Sequence, residues 1–441
     1  MVKFTRPANA PAKVAALGDD LVRETTGDVA VVDPSPGESL GAALAAYRGG
    51  PDVAYAEPNR IRYLFAVGPP SDPDYSLQWA LSRIDAIGGW SLFPGTFSPA
   101  AGAPLAIVDT GVDALHEDLS SRLSASGATC LGGGCAPGAL TDPVGHGTHV
   151  AGIAGAATDN GVGVAGLAFS SPIIAVRVFH HDPTYGWIAN DSDVADGIAW
   201  AAQHGARVIN LSLGGSGYSL TLCNAAELAI NAYHSVVVAA AVNSGVATPS
   251  YPAACPGVIG VAATGDTDLR ASFSNYGNPN VFVSAPGVDI LSTYPGDAYA
   301  SFDGNSVASP FVTALAAMIL GRHPETSVSG VRQILASSSD KVGAFAYGTD
   351  PYGTCAGCSW EQHYGYGRIN VQRALAAPVP PASPPPAPPP APPPPPPPTA
   401  APDTRAPVVR VFAVNGWIGR RLRLRYRVSD NKGETTERIT V

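Results

Sequence analysis

Three short segments carry side chains that could do nucleophilic chemistry together. "LAIVDTGVDALHEDL" puts Asp109 at the end of an apolar run, "GHGTHVAGIAGAA" puts His146 at the start of a small-residue run, and "GNSVASPFVTALAAMIL" puts Ser306 at the start of a longer one. A serine hydroxyl attacks a carbonyl only when a neighbouring base removes its proton, and imidazole is the commonest such base near neutral pH. A carboxylate behind the imidazole fixes its tautomer and stabilises its charged form. The residue types point to acyl transfer, with hydrolysis as its simplest outcome.

The elements around these residues suit that chemistry. Asp109 closes the apolar strand Leu105–Asp109, and ligand crevices of open α/β sheets lie at the carboxyl ends of strands. Gly145 and Gly147 flank His146 and allow a close approach. Ser306 reads as a helix start with Pro310 in the first turn, where proline is tolerated. Unpaired backbone N–H groups there favour negative charge on a substrate oxygen. Over residues 74–377, short Val/Ile/Ala runs (173–178, 207–211, 236–241 and 258–262) alternate with amphipathic helices. That alternation predicts a parallel sheet covered on both faces.

The D-T-G, G-H-G-T-H and G-x-S-x-A-x-P segments, in this order and spacing, resemble the subtilisin family of serine peptidases over about residues 74–377. The resemblance implies a three-layer α/β fold and an Asp109–His146–Ser306 triad. It also implies an oxyanion-hole asparagine, Asn243, in "VVVAAAVNSG". Three residues depart from the family pattern: Val242 stands where glycine is usual, Asn305 where threonine is usual, and Val307 where methionine is usual. Val242 in particular could turn the Asn243 amide away from the cleft. By the same resemblance, Ser212, Leu213 and Gly214 of "INLSLGG" pair with an extended peptide by strand addition. Ser250 of "PSYPAACPG" is expected at the base of the first specificity pocket. Neither segment contains an acidic residue, so no strict preference for basic residues is expected.

No cofactor is expected for the chemistry. The same resemblance suggests a structural calcium at Asp118 in "HEDL" and Asn160 in "TDNGVGV", whose hard oxygens would suit that ion; the alternative is a surface carboxylate and a turn asparagine. Other polar residues read as structural: His149 as a packing neighbour, His180, His181 and Asp182 as a polar loop, Asp113 and Glu117 as solvated, and Asn210 as a scaffold residue.

Residues 1–66 read as a unit of their own, with strand Val2–Phe4, helix 9–21, strands 21–26 and 28–33, helix 37–47 and strand 53–57. This is the β-α-β-β-α-β split arrangement. It resembles the inhibitor-type propeptide of secreted subtilisins, ending in "DVAYAEPN", and implies a zymogen with an intramolecular inhibitor. Residues 67–73 form a turn-rich joint. Residues 378–402 contain 17 prolines, so a linker over 378–403 should run as polyproline II and reach roughly 75 Å. Strands at 408–414, 422–428 and 438–441 suggest a partial β-domain over 404–441, too short to close a sandwich.

Composition narrows the class. Hydrophobic residues make up 45% and charged residues 14%, as in an ordinary globular protein. The net charge of −9 argues against nucleic acid, whose phosphates need clustered Lys and Arg. No apolar run approaches the roughly 20 residues of a membrane span. Six cysteines at 130, 135, 223, 255, 355 and 358 suggest three disulfides and an oxidising, extracellular compartment. The pairing 130–135, 223–255 and 355–358 is taken as the working expectation among the 15 that six cysteines permit. Residues 1–25 show no signal peptide, and "MVKFTRPANA" reads as the interior of a strand, so an upstream segment is expected. The expected function is a monomeric serine endopeptidase acting on proteins and peptides. Its rivals are a weakly active peptide-binding pseudo-protease and a surface scaffold acting through the C-terminal segment.

Overall fold

A computed structural model describes residues 1–35, 38–59, 68–93, 97, 102–138 and 141–380, and the strands at 408–411, 423–430 and 433–440. The chain divides into two units, Met1–Ser383 and Pro384–Val441. Most of the expected proline-rich linker, residues 381–403, lies outside the described residues.

Near the N-terminus, β1 (Val2–Phe4), α1 (Ala10–Ala16), β2 (Asp20–Glu24), β3 (Val29–Asp33), α2 (Leu40–Arg48) and β4 (Val53–Ala56) follow in the expected order. The strands form an antiparallel sheet in the order β2-β3-β1-β4. Val2, Phe4, Val14, Ala30 and Tyr47 form a small core of their own. The first helix is shorter than expected. A 3-10 turn, Pro7–Asn9, precedes it, and it stops at Ala16, because Gly18 takes a positive φ and Asp19 turns to bind Ser35 and Tyr47.

The second part opens with two short helices, α3 (Trp79–Arg83) and α4 (Ala86–Trp90), then β5 (Leu105–Asp109), β6 (Ala128–Cys130), β7 (Cys135–Pro137), α5 (His146–Gly155) and β8 (Ile173–Arg177). A hairpin of β9 (His180–Asp182) and β10 (Gly186–Ile188) leads to α6 (Asp191–Gln203), β11 (Val208–Leu211), α7 (Leu220–Ala232), β12 (Val236–Ala240) and β13 (Ile259–Thr264). After β14 (Val283–Pro286) and the hairpin β15 (Ile290–Tyr294)–β16 (Ala298–Phe302) come α8 (Asn305–Arg322) and α9 (Val328–Ser338). The small pair β17 (Gly348–Thr349)–β18 (Ser359–Trp360) and α10 (Val371–Ala376) complete this part.

The main sheet runs β14-β13-β12-β11-β5-β8-β6-β7, parallel except for its last strand. Both faces are covered, and β5 shows why. Leu105 and Ile107 enter one core with residues of α5 and α8, whereas Ala106 and Val108 enter the opposite core with residues of α6 and α7. After β5 the chain continues into β6, β7 and β8 on one side of it, while β11, reached later, pairs on the other and leads on to β12. The crossovers therefore diverge at the carboxyl ends of β5 and β11, leaving a crevice there. The three disulfides are Cys130–Cys135, Cys223–Cys255 and Cys355–Cys358, as expected. Among the described residues no helix is long and apolar enough to cross a membrane.

In the second unit, β19 (Val408–Val411), β20 (Arg423–Asp430) and β21 (Gly433–Thr440) form an antiparallel sheet. The last strand begins earlier than expected because all eight of its residues pair with β20.

Candidate active site

Strand β5 is buried at all five positions, so Asp109 at its end is held by an element locked into two cores. Its Oδ1 accepts hydrogen bonds from the Thr110 N–H at 2.7 Å and from His146 Nδ1 at 2.6 Å. A carboxylate can only accept, so the imidazole proton sits on Nδ1 and the Nε2 lone pair faces outward. Gly147 permits this approach: a Cβ there would stand 2.1 Å from the Gly111 carbonyl oxygen. Sequence reasoning missed Asp142. Its carboxylate accepts from Thr110 Oγ1, from the Gly145 N–H and from the Thr148 N–H, each at 2.8 Å, and so clips the end of β5 to the start of α5. An acid shortly before a helix, as in "TDPVGHGTH", is the signal that could have found it. Burial lowers the His146 pKa, but the Asp109 charge, the Asp109 hydrogen bond and the Asp142 charge outweigh it. The net shift is upward from 6.5.

Ser306 lies in the first turn of α8, after Gly304. Pro310 falls in the second turn rather than the first. Proline there lacks the N–H that would bond the Ser306 carbonyl. That carbonyl instead accepts from Ser212 Oγ at 2.6 Å, and Ser212 Oγ accepts in turn from Asn210 Nδ2 at 2.9 Å. Asn210 Oδ1 accepts from Thr313 Oγ1 at 2.9 Å, so the end of β11 is tied to two turns of α8.

His146 and Ser306 line the same cleft. One lobe, of about 360 Å³, also contacts Ser212, Leu213, Gly214, Ala240, Val242 and Asn243. A lobe of about 530 Å³ on the other side of the pair is bounded by Val288, Asp289, Phe302 and Asp303. The atoms near Ser306 converge. The position a Cβ would take on Gly304 is 2.9 Å from Ser306 Oγ, 3.1 Å from Asn243 Nδ2 and 3.5 Å from the Ser306 backbone nitrogen. Val242 therefore does not turn the Asn243 amide away. Ser250, expected at the base of the first specificity pocket, is not among the residues that bound these two lobes. It is buried behind the wall, donating its hydroxyl to the Ala241 carbonyl at 2.9 Å and its N–H to Asn280 Oδ1 at 2.8 Å. Tyr251 instead lines a neighbouring lobe with Leu213 and Gly214.

Asp118 and Asn160 are brought together, with Asn160 Nδ2 donating to Asp118 Oδ1 at 2.8 Å and the Val164 N–H donating to Asp118 Oδ2 at 2.9 Å. Burial above all, with the charges of Asp72 and Glu117, raises the Asp118 pKa to about 7 against the pull of these two bonds. Asp72, which the sequence did not single out, is also buried. Its Oδ2 accepts from the Asp159 N–H at 2.7 Å, while its Oδ1 is buried without a partner among the described residues. Two buried carboxylates, one with an orphaned oxygen, beside a carboxamide make a donor set that fits a hard cation. Among the described residues no three His, Cys, Asp or Glu side chains gather as a metal site. A cation here would also need backbone oxygens.

The remaining polar candidates serve structure. His149 stacks on Phe302 and hydrogen-bonds Ile290 and Ala300 carbonyls through Nε2, and burial lowers its pKa to about 4. His180, His181 and Asp182 form strand β9 rather than a loop, because they pair with β10. Asp113 accepts from the Gly296 N–H and Glu117 from the Tyr299 hydroxyl, so both brace the β15–β16 hairpin.

A parallel sheet covered on both faces, with an Asp-backed histidine and a helix-borne serine at its carboxyl edge, has the parts of a serine hydrolase of the α/β class. Comparison with known proteins gives the particular family. Residues 100–367 match the subtilase family, and residues 1–59 match the fervidolysin N-terminal prodomain. A thermophilic serine proteinase of Bacillus sp. (strain AK1) is 38% identical over 386 residues, covering 85% of this chain and 86% of that protein. Thermitase of Thermoactinomyces vulgaris is 39% identical over 307 residues, covering 69% of this chain and 99% of thermitase. The solved structure of a protease from Pseudoalteromonas arctica PAMC 21717 matches with a TM-score of 0.59 at 30% identity, over 70% of this chain and 99% of that one. The chain belongs to the subtilase family and is a serine endopeptidase made as a zymogen with an N-terminal prodomain.

Proposed function

We propose that Asp109, His146 and Ser306 are the catalytic triad of this peptidase, working on extended segments of protein substrates. His146 Nε2 takes the Ser306 proton as Oγ attacks the peptide carbonyl carbon, and Asp109 stabilises the imidazolium. The Asn243 Nδ2–H and the Ser306 backbone N–H hold the carbonyl oxygen as it becomes negative. His146 returns the proton to the leaving amine, and water then hydrolyses the acyl-enzyme by the reverse proton path. Ser212, Leu213 and Gly214 border the lobe where the substrate backbone would pair as an added strand. The observation carrying this reading is the 2.6 Å His146–Asp109 hydrogen bond at a cleft that His146 shares with Ser306.

On this reading, residues 1–66 are the prodomain, 67–73 the joint and 74–377 the peptidase domain. Residues 378–403 are a linker to a short β-segment over 404–441. Three disulfides support an extracellular site of action, and the enzyme works as a monomer. Asp72, Asp118 and Asn160 hold a structural calcium that takes no part in the chemistry.

Labelling with a serine-directed phosphonate, followed by mass mapping, tests the triad. The wild type should be modified on Ser306 alone. Ser306→Ala should be unlabelled, inactive on casein, and isolated with its prodomain still attached. Labelling at another serine, or prodomain release by purified Ser306→Ala, would refute the assignment.

A further inference from the structure

Asn243 is an exposed side chain at the cleft, yet an oxyanion donor is useful only if its N–H is already aimed before the charge develops. A free carboxamide there could rotate, or present its oxygen to the developing charge and repel it. Its carboxamide is held by one neighbour. Asn243 Oδ1 accepts from the Asn305 backbone N–H and from Asn305 Nδ2, both at 2.9 Å. With the oxygen end committed to two donors, the Nδ2 end must face the Gly304 position beside Ser306 Oγ.

Asn305 is itself fixed. It is fully buried at the start of α8, and its Oδ1 accepts from Ser274 Oγ at 2.8 Å. Its Nδ2 also donates to the Val242 carbonyl at 2.6 Å. Two acceptors on one side and a hydroxyl on the other leave its amide a single sensible orientation. The bond to Val242 matters because Val242 has φ 71°, a left-handed conformation that a β-branched residue holds only when its surroundings impose it. Asn305 thus secures both the side chain of Asn243 and the peptide that precedes it.

We infer that Asn305 is a positioning residue of the oxyanion hole: its carboxamide locks the Asn243 amide with N–H toward the transition-state oxygen and holds the left-handed Val242 that delivers it. This rests on the reading of Asn243 as an oxyanion donor. Val242 and Asn305, the two residues that departed from the expected pattern here, are joined by the bond from Asn305 Nδ2 to the Val242 carbonyl. The carboxamide reaches two acceptors where a hydroxyl donates only once.

The test is a double-mutant cycle on the full chain, with active sites counted by phosphonate labelling. Asn305→Val should lower kcat at least about 30-fold with KM within about threefold, as expected when an interaction is realised only in the transition state. In an Asn243→Ala background the same substitution should change kcat less than about threefold, because the group it positions is gone. Asn305→Thr, nearly the shape of valine but able to donate one hydrogen bond, should recover at least about tenfold of the kcat lost in Asn305→Val. If Asn305→Val does not fold, Asn305→Asp, which keeps the shape but puts an acceptor against Asn243 Oδ1, takes its place in the same cycle. Losses that multiply in the double variant, or equal kcat for Thr and Val, would overturn the inference. A labelled wild type whose kcat is unchanged in Asn243→Ala would overturn the oxyanion reading, and this inference with it. A normal Asn243→Ala loss with an unaffected Asn305→Val would overturn this inference alone.

Discussion

Two histidines one helical turn apart show how burial and partners divide labour between like residues. His149 is enclosed beneath Phe302, with Nδ1 buried and unpartnered among the described residues, so its protonated form would place an N–H where nothing accepts it. With a pKa of about 4 it stays neutral at neutral pH. His146 is partly exposed at the cleft, and although burial also lowers its pKa, the negative charges of Asp109 and Asp142 favour its protonated form and lift it above 6.5. A base must be deprotonated to act, so activity should rise with pH through that raised value. The acid limb of kcat/KM should therefore have its midpoint above pH 6.5. Asp142→Asn, which removes one of the charges, should move that midpoint downward. A midpoint near pH 4, or one unmoved by Asp142→Asn in a folded variant, would show that His146 is not the titrating base.

At the scale of elements, the nucleophile depends on a junction between β11 and α8 rather than on α8 alone. Pro310 opens the backbone ladder at Ser306, and Ser212 closes it again with a side chain from the end of β11. Ser212→Ala would leave the Asn210 amide buried without its acceptor, a loss of about 1–3 kcal/mol. Chemical denaturation of Ser212→Ala, made in the Ser306→Ala background to prevent self-digestion, should show a loss in that range. Unchanged stability would mean that the junction contributes nothing. This junction also marks the limit of what the sequence could reveal. Leu105–Asp109 was legible because a fully buried parallel strand reads as an unbroken apolar run, and the motif glycines marked the close approaches. The split order of residues 1–59 was legible from alternating strand and helix patterns. The partners of Ser250 and Asp72 were not, because each is chosen by contacts between segments distant in sequence. Asn280, for example, faces Ser250 across 30 residues, and Asp159 faces Asp72 across 87. The end of α1 was missed for the same reason, since Asp19 turns away to meet Tyr47.

Across the whole molecule, burial works against charge at one corner of the peptidase part, where Asp72 and Asp118 accept hydrogen bonds but form no ion pair among the described residues. Burial disfavours the charged form of both Asp72 and Asp118, against their hydrogen bonds, and the Asp72 charge adds to the upward shift at Asp118. A carboxyl whose folded-state pKa lies above its unfolded value contributes stability that is complete below about pH 4 and is lost as pH rises through the folded value. For Asp118 that loss runs from about pH 4 to about pH 7, so without a cation this corner is weakest in neutral and alkaline solution. Calcium would remove the penalty by neutralising both acids. At pH 5 it must first displace the Asp118 proton, whereas at pH 8 the carboxylate is already free. Thermal unfolding of Ser306→Ala with calcium and with chelator should therefore show a larger calcium-dependent rise in Tm at pH 8 than at pH 5. Asp72→Asn keeps the acceptor for the Asp159 N–H but removes one charge. It should match or exceed the parent in Tm at pH 8 with chelator, and lose most of the rise that calcium gives. Equal Tm with calcium and chelator at pH 8 would remove the cation from this site. A calcium response intact in Asp72→Asn would place the ion elsewhere in the fold.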